Sequence, residues 1–345
     1  MLEHGGRLRR AAAHYGIALG DWLDLSTGIN PEAYPLPAIP LAAWQRLPEE
    51  DDGLEAAAAG YYGSAALLPV AGSQAAIQAL PGVIAELVGP RRPALRVSLL
   101  APSYAEHAQA WRPHRPTLFA AEDADRAVAG SDIVILVQPN NPTGLLFERA
   151  RLLAWHQQLA ARGGWLIIDE AFIDPTPAAS LAPETGADGL VVLRSLGKFF
   201  GLAGARVGFV LAPAAVRERL AAQLGPWTVS GPARHVSRAA LLDRAWQAQA
   251  CRSLHAGGER LARLLGAAGL APVRGPALFK WWPSAQATAL HGALARRGIL
   301  TRLFDTPAAL RFGLPADEAD WQRLAHALHA ALAELGPSPD RPARR

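Results

Sequence analysis

Between about residues 66 and 225, short apolar, β-branched runs alternate with Ala/Leu-rich stretches of helical period. Strands are expected at Leu67–Val70, Leu95–Leu100, Asp132–Val137, Trp165–Ile168, Leu190–Leu193 and Arg206–Leu211. Helices are expected from Gly72-Ser73 to Val88 and from about Arg149 to Ala161. Strands that are apolar at nearly every position, set between helices, belong to a mainly parallel sheet covered on both faces. The expected fold class is therefore α/β, a three-layer domain with its ligand at the C-terminal edge of the sheet, plus a smaller α+β domain. The pattern changes after about residue 226. There a long Ala/Leu/Arg helix is expected over about 233–265, interrupted near Gly257-Gly258. Short strands follow near Ala277–Trp281 and Ala309–Gly313, then a last helix over about Asp317–Leu335. The expected organisation is an arm at 1–35 packing with the small domain, a large α/β domain at 36–225, a small domain at 226–335 and a disordered tail at 336–345.

Composition narrows the classes. Of the 345 residues, 50% are hydrophobic and 19% charged, enough to build a sizeable core. The single cysteine, Cys251, can form neither a disulfide framework nor a thiolate metal site, and a reducing, cytoplasmic setting is expected. The start, MLEHGGRLRR, lacks the apolar core of a signal peptide, and no apolar run reaches membrane-spanning length. The net charge of +4 comes from scattered arginines without interleaved aromatics, so neither a nucleic-acid surface nor a membrane partner is expected. Lysine occurs only at Lys198 and Lys280, which leaves two candidates for any amine chemistry.

The informative polar residues fall just beyond strand ends. Gly72-Ser73-Gln74 opens a helix, either as an ordinary cap or as a phosphate cradle made of first-turn N–H groups. Asn140-Asn141-Pro142-Thr143-Gly144 is a turn that carries two amides. Asp169-Glu170 ends a buried strand, where a carboxylate needs either an internal arginine or a cationic ligand atom such as a protonated heterocyclic nitrogen. Ser195-Leu196-Gly197-Lys198 places a hydroxyl and an amine around a turn in an apolar setting, where a desolvated lysine can form a Schiff base. Lys280, between Phe279 and Trp281, has no such polar company and reads as structural.

The ordered set Asn-Pro-Thr-Gly (141–144), Asp-Glu-Ala-Phe-Ile-Asp (169–174), Ser-Leu-Gly-Lys (195–198) and Gly-Ala-Arg-Val-Gly-Phe (204–209) resembles the class I/II aminotransferase group of fold-type I pyridoxal phosphate (PLP) enzymes. It looks most like the histidinol-phosphate aminotransferase branch. His4-Gly5-Gly6, Ser26-Thr27-Gly28-Ile29-Asn30-Pro31, Leu193 to Phe199 and Pro226-Trp227-Thr228-Val229 resemble the threonine-phosphate decarboxylases of cobalamin biosynthesis within that branch, over roughly residues 4–335.

The resemblance implies PLP as cofactor. Lys198 would carry it, Asp169 would pair with its ring nitrogen, and Asn141 would bond its 3′-oxygen. Gly72, Ser73, Ser195 and Arg206 would hold its phosphate, and Tyr104 would stack on its ring. His4, Gly5, Asn30 and Asn141 would contact substrate. Arg311 would bind the substrate carboxylate and Arg302 its phosphate, tasks suited to a planar guanidinium. A phosphorylated amino-acid substrate and a homodimer are implied as well. Two departures stand out. Phe172 replaces a tyrosine common in aminotransferases, and Leu47-Pro48 replaces a Tyr-Pro whose tyrosine reaches the partner's cofactor, a task open to Tyr61 or Tyr62. The implied reaction is decarboxylation of L-threonine O-3-phosphate. A histidinol-phosphate-type aminotransferase is the alternative, and a non-catalytic PLP-fold sensor or scaffold is a third.

Overall fold

A computed structural model describes residues 4–89 and 94–336. It divides into two units. The smaller holds the described residues up to Glu32, Pro142–Gly144 and the described residues from Arg252 onward; the larger holds Ala33–Asn141 and Leu145–Cys251. The boundary expected at 226 is thus displaced to 252, and the arm ends at 32 rather than 35. The expected tail, apart from Gly336, lies outside the described residues.

In chain order the strands are β1 (Leu23–Asp24), β2 (Leu67–Val70), β3 (Val97–Leu100), β4 (Thr117–Phe119), β5 (Ile133–Val137), β6 (Trp165–Asp169), β7 (Leu190–Ser195), β8 (Gly208–Leu211), β9 (Phe279–Pro283), β10 (Ile299–Leu300), β11 (Arg302–Asp305) and β12 (Ala308–Gly313).

The larger unit is built on a seven-stranded sheet of order β2-β8-β7-β6-β5-β3-β4. The pairs from β7 through β4 are parallel, whereas β8 runs antiparallel to both β7 and β2. β5 and β6 are buried at every position, which requires cover on both faces. On one face Val70, Ile77, Leu80, Ile84, Ile135 and Leu193 join a single core. The helix Arg149–Ala160 adds buried Leu152, Trp155 and Leu159. The chain passes from β3 out to β4 and returns to β5 on the other side of β3. That reversal opens a crevice at the carboxyl ends of β3 and β5, where α/β sheets bind ligands.

The smaller unit has an antiparallel sheet, β11-β12-β9, and a parallel pair, β1-β10. The long helix expected over 233–265 is two helices, Gly231–Leu242 and Arg244–Ala267, and the break falls at Asp243 rather than at Gly257-Gly258. Asp243 explains the break, because its Oδ1 accepts the Trp246 N–H at 2.9 Å as an N-cap. The glycine pair serves packing instead: a Cβ on Gly258 would come within 2.7 Å of the Ala277 carbonyl oxygen.

Candidate active site

In the larger unit, the ends of β3, β5, β6 and β7 carry the expected cofactor residues. Gly72 is the N-cap of the helix Ser73–Val88, and no side chain caps the first-turn N–H groups. Its φ is +73°, and a Cβ there would lie 2.7 Å from Arg206 Nη2. The guanidinium therefore sits directly over the open helix terminus. Arg206 itself adopts a left-handed conformation with φ of 54°, uncommon for a side chain of its size and characteristic of functional positions. β8 backs closely onto the same turn, since a Cβ on Gly208 would come within 2.5 Å of the Ser73 nitrogen. A helix N-terminus joined to an arginine is suited to a phosphate. Ser195 ends β7, and its Oγ accepts the Gly197 N–H at 3.2 Å.

Asp169, the last residue of β6, is buried. Its Oδ1 accepts the Ala171 N–H at 3.0 Å, and its Oδ2 lies 3.0 Å from His107 Nε2. His107 is equally buried, on the helix Ala105–Trp111, and the sequence reading did not single it out. Its only sequence signal was a histidine on a short helix behind β3. Tyr104 stands before that helix, with its ring edge-on to His107 at 6.1 Å and its hydroxyl donating to Gln74 Oε1 at 3.3 Å. Burial, with the charges of Asp169 and Glu106, pushes the Tyr104 hydroxyl up to about 12, so it stays protonated. Lys198 is half-buried, its Nζ 5.5 Å from the centroid of the buried Phe172 ring.

The two amides of the turn after β5 differ. Asn140 is buried and structural: its Nδ2 donates to the Pro102 carbonyl at 2.9 Å, and its Oδ1 accepts from Ser103 Oγ at 2.8 Å. Asn141 is half-buried. The two carboxylates after β6 differ as well. Glu170 takes the internal alternative, pairing with Arg194 Nη1 at 3.0 Å, while Arg194 Nη2 reaches Asp174 at 2.6 Å. Successive residues on a strand face opposite ways, so Asp169 and Glu170 serve different partners. Both tyrosines offered for the missing cross-subunit contact have partners within the chain. Tyr61 donates to Asp174 at 2.8 Å, and buried Tyr62 lies beneath the Arg194 guanidinium at 4.6 Å.

In the smaller unit, buried Ser26 is a hub. Its Oγ accepts the Gly6 N–H at 2.7 Å and donates to Asp24 Oδ1 at 2.5 Å. Its carbonyl accepts from Arg311 Nη2 at 2.9 Å. A Cβ on Gly5 would fall 2.3 Å from that same carbonyl, so His4-Gly5-Gly6 can lie against this bend only with glycine. The structure thereby brings Gly5 and Arg311 to one residue. Arg302 and Arg311 stand directly opposite on β11 and β12. Burial, reinforced by the Arg302 charge, pushes the Arg311 guanidinium down to about 9, against the help of Asp24. Buried Asn30 spends its Oδ1 on the Glu32 N–H at 3.0 Å. Lys280 donates to the carbonyls of Gly275 and Pro276, both at 2.9 Å, which agrees with its structural reading.

The model for aminotransferase class I and II matches residues 48–328. This chain belongs to that family. Among curated relatives of the class I/II group, a threonine-phosphate decarboxylase from Pseudomonas aeruginosa is 56% identical over 95% of this chain and 97% of its own length. Another from Sinorhizobium sp is 44% identical over 95% of this chain and 97% of its own length. The class I/II fold is shared with histidinol-phosphate aminotransferase from Sinorhizobium meliloti in complex with pyridoxal-5′-phosphate (TM-score 0.79, 22% identity, 97% of this chain and 96% of that one). It is shared also with L-threonine-O-3-phosphate decarboxylase from Porphyromonas gingivalis (TM-score 0.66, 20% identity, 95% and 97%). Among the described residues, no helix is long and apolar enough to cross a membrane.

Proposed function

We propose that this class I/II family member is a PLP-dependent threonine-phosphate decarboxylase, converting L-threonine O-3-phosphate to (R)-1-amino-2-propanol O-2-phosphate and CO2 for cobalamin biosynthesis. The observation that carries this reading is the 56% identity to a relative of that name over nearly the full length of both chains. Histidinol-phosphate aminotransferases match less, at 34% identity over 59% of this chain for one from Shewanella oneidensis.

The larger unit fits the cofactor. The place a Cβ would fill at Gly72 belongs to Arg206 over an uncapped helix terminus, a cradle for a phosphate. Gly72, Ser73, Ser195 and Arg206 would hold that phosphate, Asn141 the ring 3′-oxygen, Tyr104 the ring face and Lys198 the carbonyl carbon. When bound, PLP supplies an electron sink for the bond broken at the substrate Cα. Asp169, braced by the Ala171 N–H and His107, would hold the proton on the ring nitrogen. Arg311 would take the substrate carboxylate and Arg302 its phosphate, with His4, Gly5 and Asn30 as further substrate contacts. Positioning of this kind decides which Cα bond is aligned to break. The Cα–carboxylate bond breaks, CO2 leaves, and Cα takes a proton for which Lys198 Nζ is the donor.

Leu36, Leu41, Trp44, Leu47 and Trp227 of the larger unit are all exposed, a concentration that suits burial against a second copy. We read the working form as a homodimer in the cytoplasm.

The test is a product assay on purified protein with PLP and L-threonine O-3-phosphate and no keto acid. CO2 and aminopropanol phosphate over many turnovers are expected. Absence of CO2, with turnover of histidinol phosphate once 2-oxoglutarate is added, would move the chain to the aminotransferase branch.

A further inference from the structure

The smaller unit holds a cavity of about 710 Å³ whose walls are unusually basic. One wall is the helix Leu8–Tyr15 with the residue before it. The other is β10–β11 from Leu300 to Asp305. Arg7, Arg10 and His14 follow one another at spacings of three and four, so they form one stripe along the first wall. Arg9, off that stripe, is not in the lining. Arg302 faces the cavity from the second wall, its guanidinium 4.9 Å from the Phe304 ring centroid. Asp305 is the one carboxylate among the lining residues. Arg311 does not line this cavity, although it stands opposite Arg302 in the sheet.

This arrangement separates the two strand arginines. Arg311 is sealed beside Ser26, whereas Arg302 opens onto a space shared with two further guanidinium groups. A cavity with three arginines and one acid is matched to a dianion, which guanidinium groups bind through charge-assisted hydrogen bonds. We propose that Arg7 and Arg10 are specificity residues for the substrate's phosphate dianion, acting with Arg302 from the opposite wall. This rests on the decarboxylase reading and deepens it. No family motif assigned a role to either arginine. His4, His14 and His291 also face the cavity. His291 holds Thr301 Oγ1 at 2.8 Å, and burial together with Arg302 lowers its pKa, so it adds little positive charge at neutral pH.

The experiment compares wild-type holoenzyme with Arg7→Gln, Arg7→Lys, Arg10→Gln and the control Arg263→Gln. Arg263 is a surface arginine of the same unit and pairs with Glu259 at 3.7 Å. Two quantities are read: KM and kcat for L-threonine O-3-phosphate, and calorimetric affinity for inorganic phosphate. Arg7→Gln is expected to raise KM about tenfold or more and weaken phosphate binding in parallel, with the loss falling on KM rather than on kcat. Exposed Arg10 is expected to contribute about threefold, on the scale of a partly solvated ion pair. Arg7→Lys should recover part of the affinity, which a purely structural role would not predict. Unchanged KM and phosphate affinity in both glutamine variants would overturn the assignment while leaving the decarboxylase reading intact. A wild-type protein that binds phosphate through Arg7 but releases no CO2 would overturn that reading instead.

Discussion

Two buried arginines are held in opposite ways. Arg194, in the larger unit, is enclosed by Glu170, Asp174 and the Tyr62 ring. Burial works against its charge, but the two carboxylates outweigh it and keep the guanidinium above its ordinary range. Arg311, in the smaller unit, is buried to a similar degree, yet its pKa moves the other way, because burial and Arg302 outweigh Asp24. The first charge is balanced within the protein and is a structural clamp. The second is held at a cost that a bound carboxylate would offset, in keeping with the role proposed for it. Burial of a charged residue therefore does not by itself mark function; what balances its charge must be asked as well.

The widest break between the two should come from Arg194→Leu. It leaves Glu170 and Asp174 buried without their cation, a loss of about 3–5 kcal/mol. A fall of about 4–7 °C in the thermal midpoint is expected by calorimetry. Arg311→Leu should leave the midpoint within about 2 °C, because removal of an imperfectly compensated buried charge costs little. Its kcat/KM for L-threonine O-3-phosphate should instead fall about 10- to 100-fold, the range for a charged hydrogen bond. If Arg311→Leu unfolds the protein while Arg194→Leu does not, the contrast fails.

The pH profile sharpens it. Burial and the Arg302 charge push the Arg311 guanidinium down to about 9, so KM should climb above that pH, and this limb should disappear in Arg311→Leu. His107→Phe removes the brace on Asp169. We expect kcat to drop about tenfold, on the low side of general acid–base effects, with a shifted pH optimum that His107→Asn partly restores. The smallest effect concerns Lys280, whose pKa burial pushes down to about 8. Between that pH and the ordinary lysine value of 10.5 the unfolded chain binds the additional proton, so stability should rise with pH across this window. Lys280→Met should flatten the rise in a pH series of thermal melts.

The legibility of the chain follows the same physics. Strands buried on both faces announce themselves as apolar runs, and Leu67–Val70 and the helix to Val88 stand where the pattern puts them. The polar residues at strand ends were legible because such positions are otherwise apolar. The direction of β8 was not legible, since a fully buried antiparallel strand has the same composition as a parallel one. Half-exposed β11 and short β4 lack the apolar run altogether. His107 escaped, and Ser26 was read only as part of a motif, because their roles lie in partners distant in sequence, Asp169 and Arg311. The break at Asp243 was missed in favour of two glycines whose missing side chains serve close packing rather than helix termination.

Asp169 and Glu170 differ by one methylene and one step along the chain, yet one meets His107 and the other Arg194. The strand's two-residue phase acts as an address. A one-residue deletion within β6 would move Glu170 into the Asp169 position and turn Asp169 to the opposite face, leaving neither carboxyl at its own partner. Length changes should therefore be purged from this strand far more strictly than substitutions, and natural variation here should run sideways through residue exchange rather than along the chain.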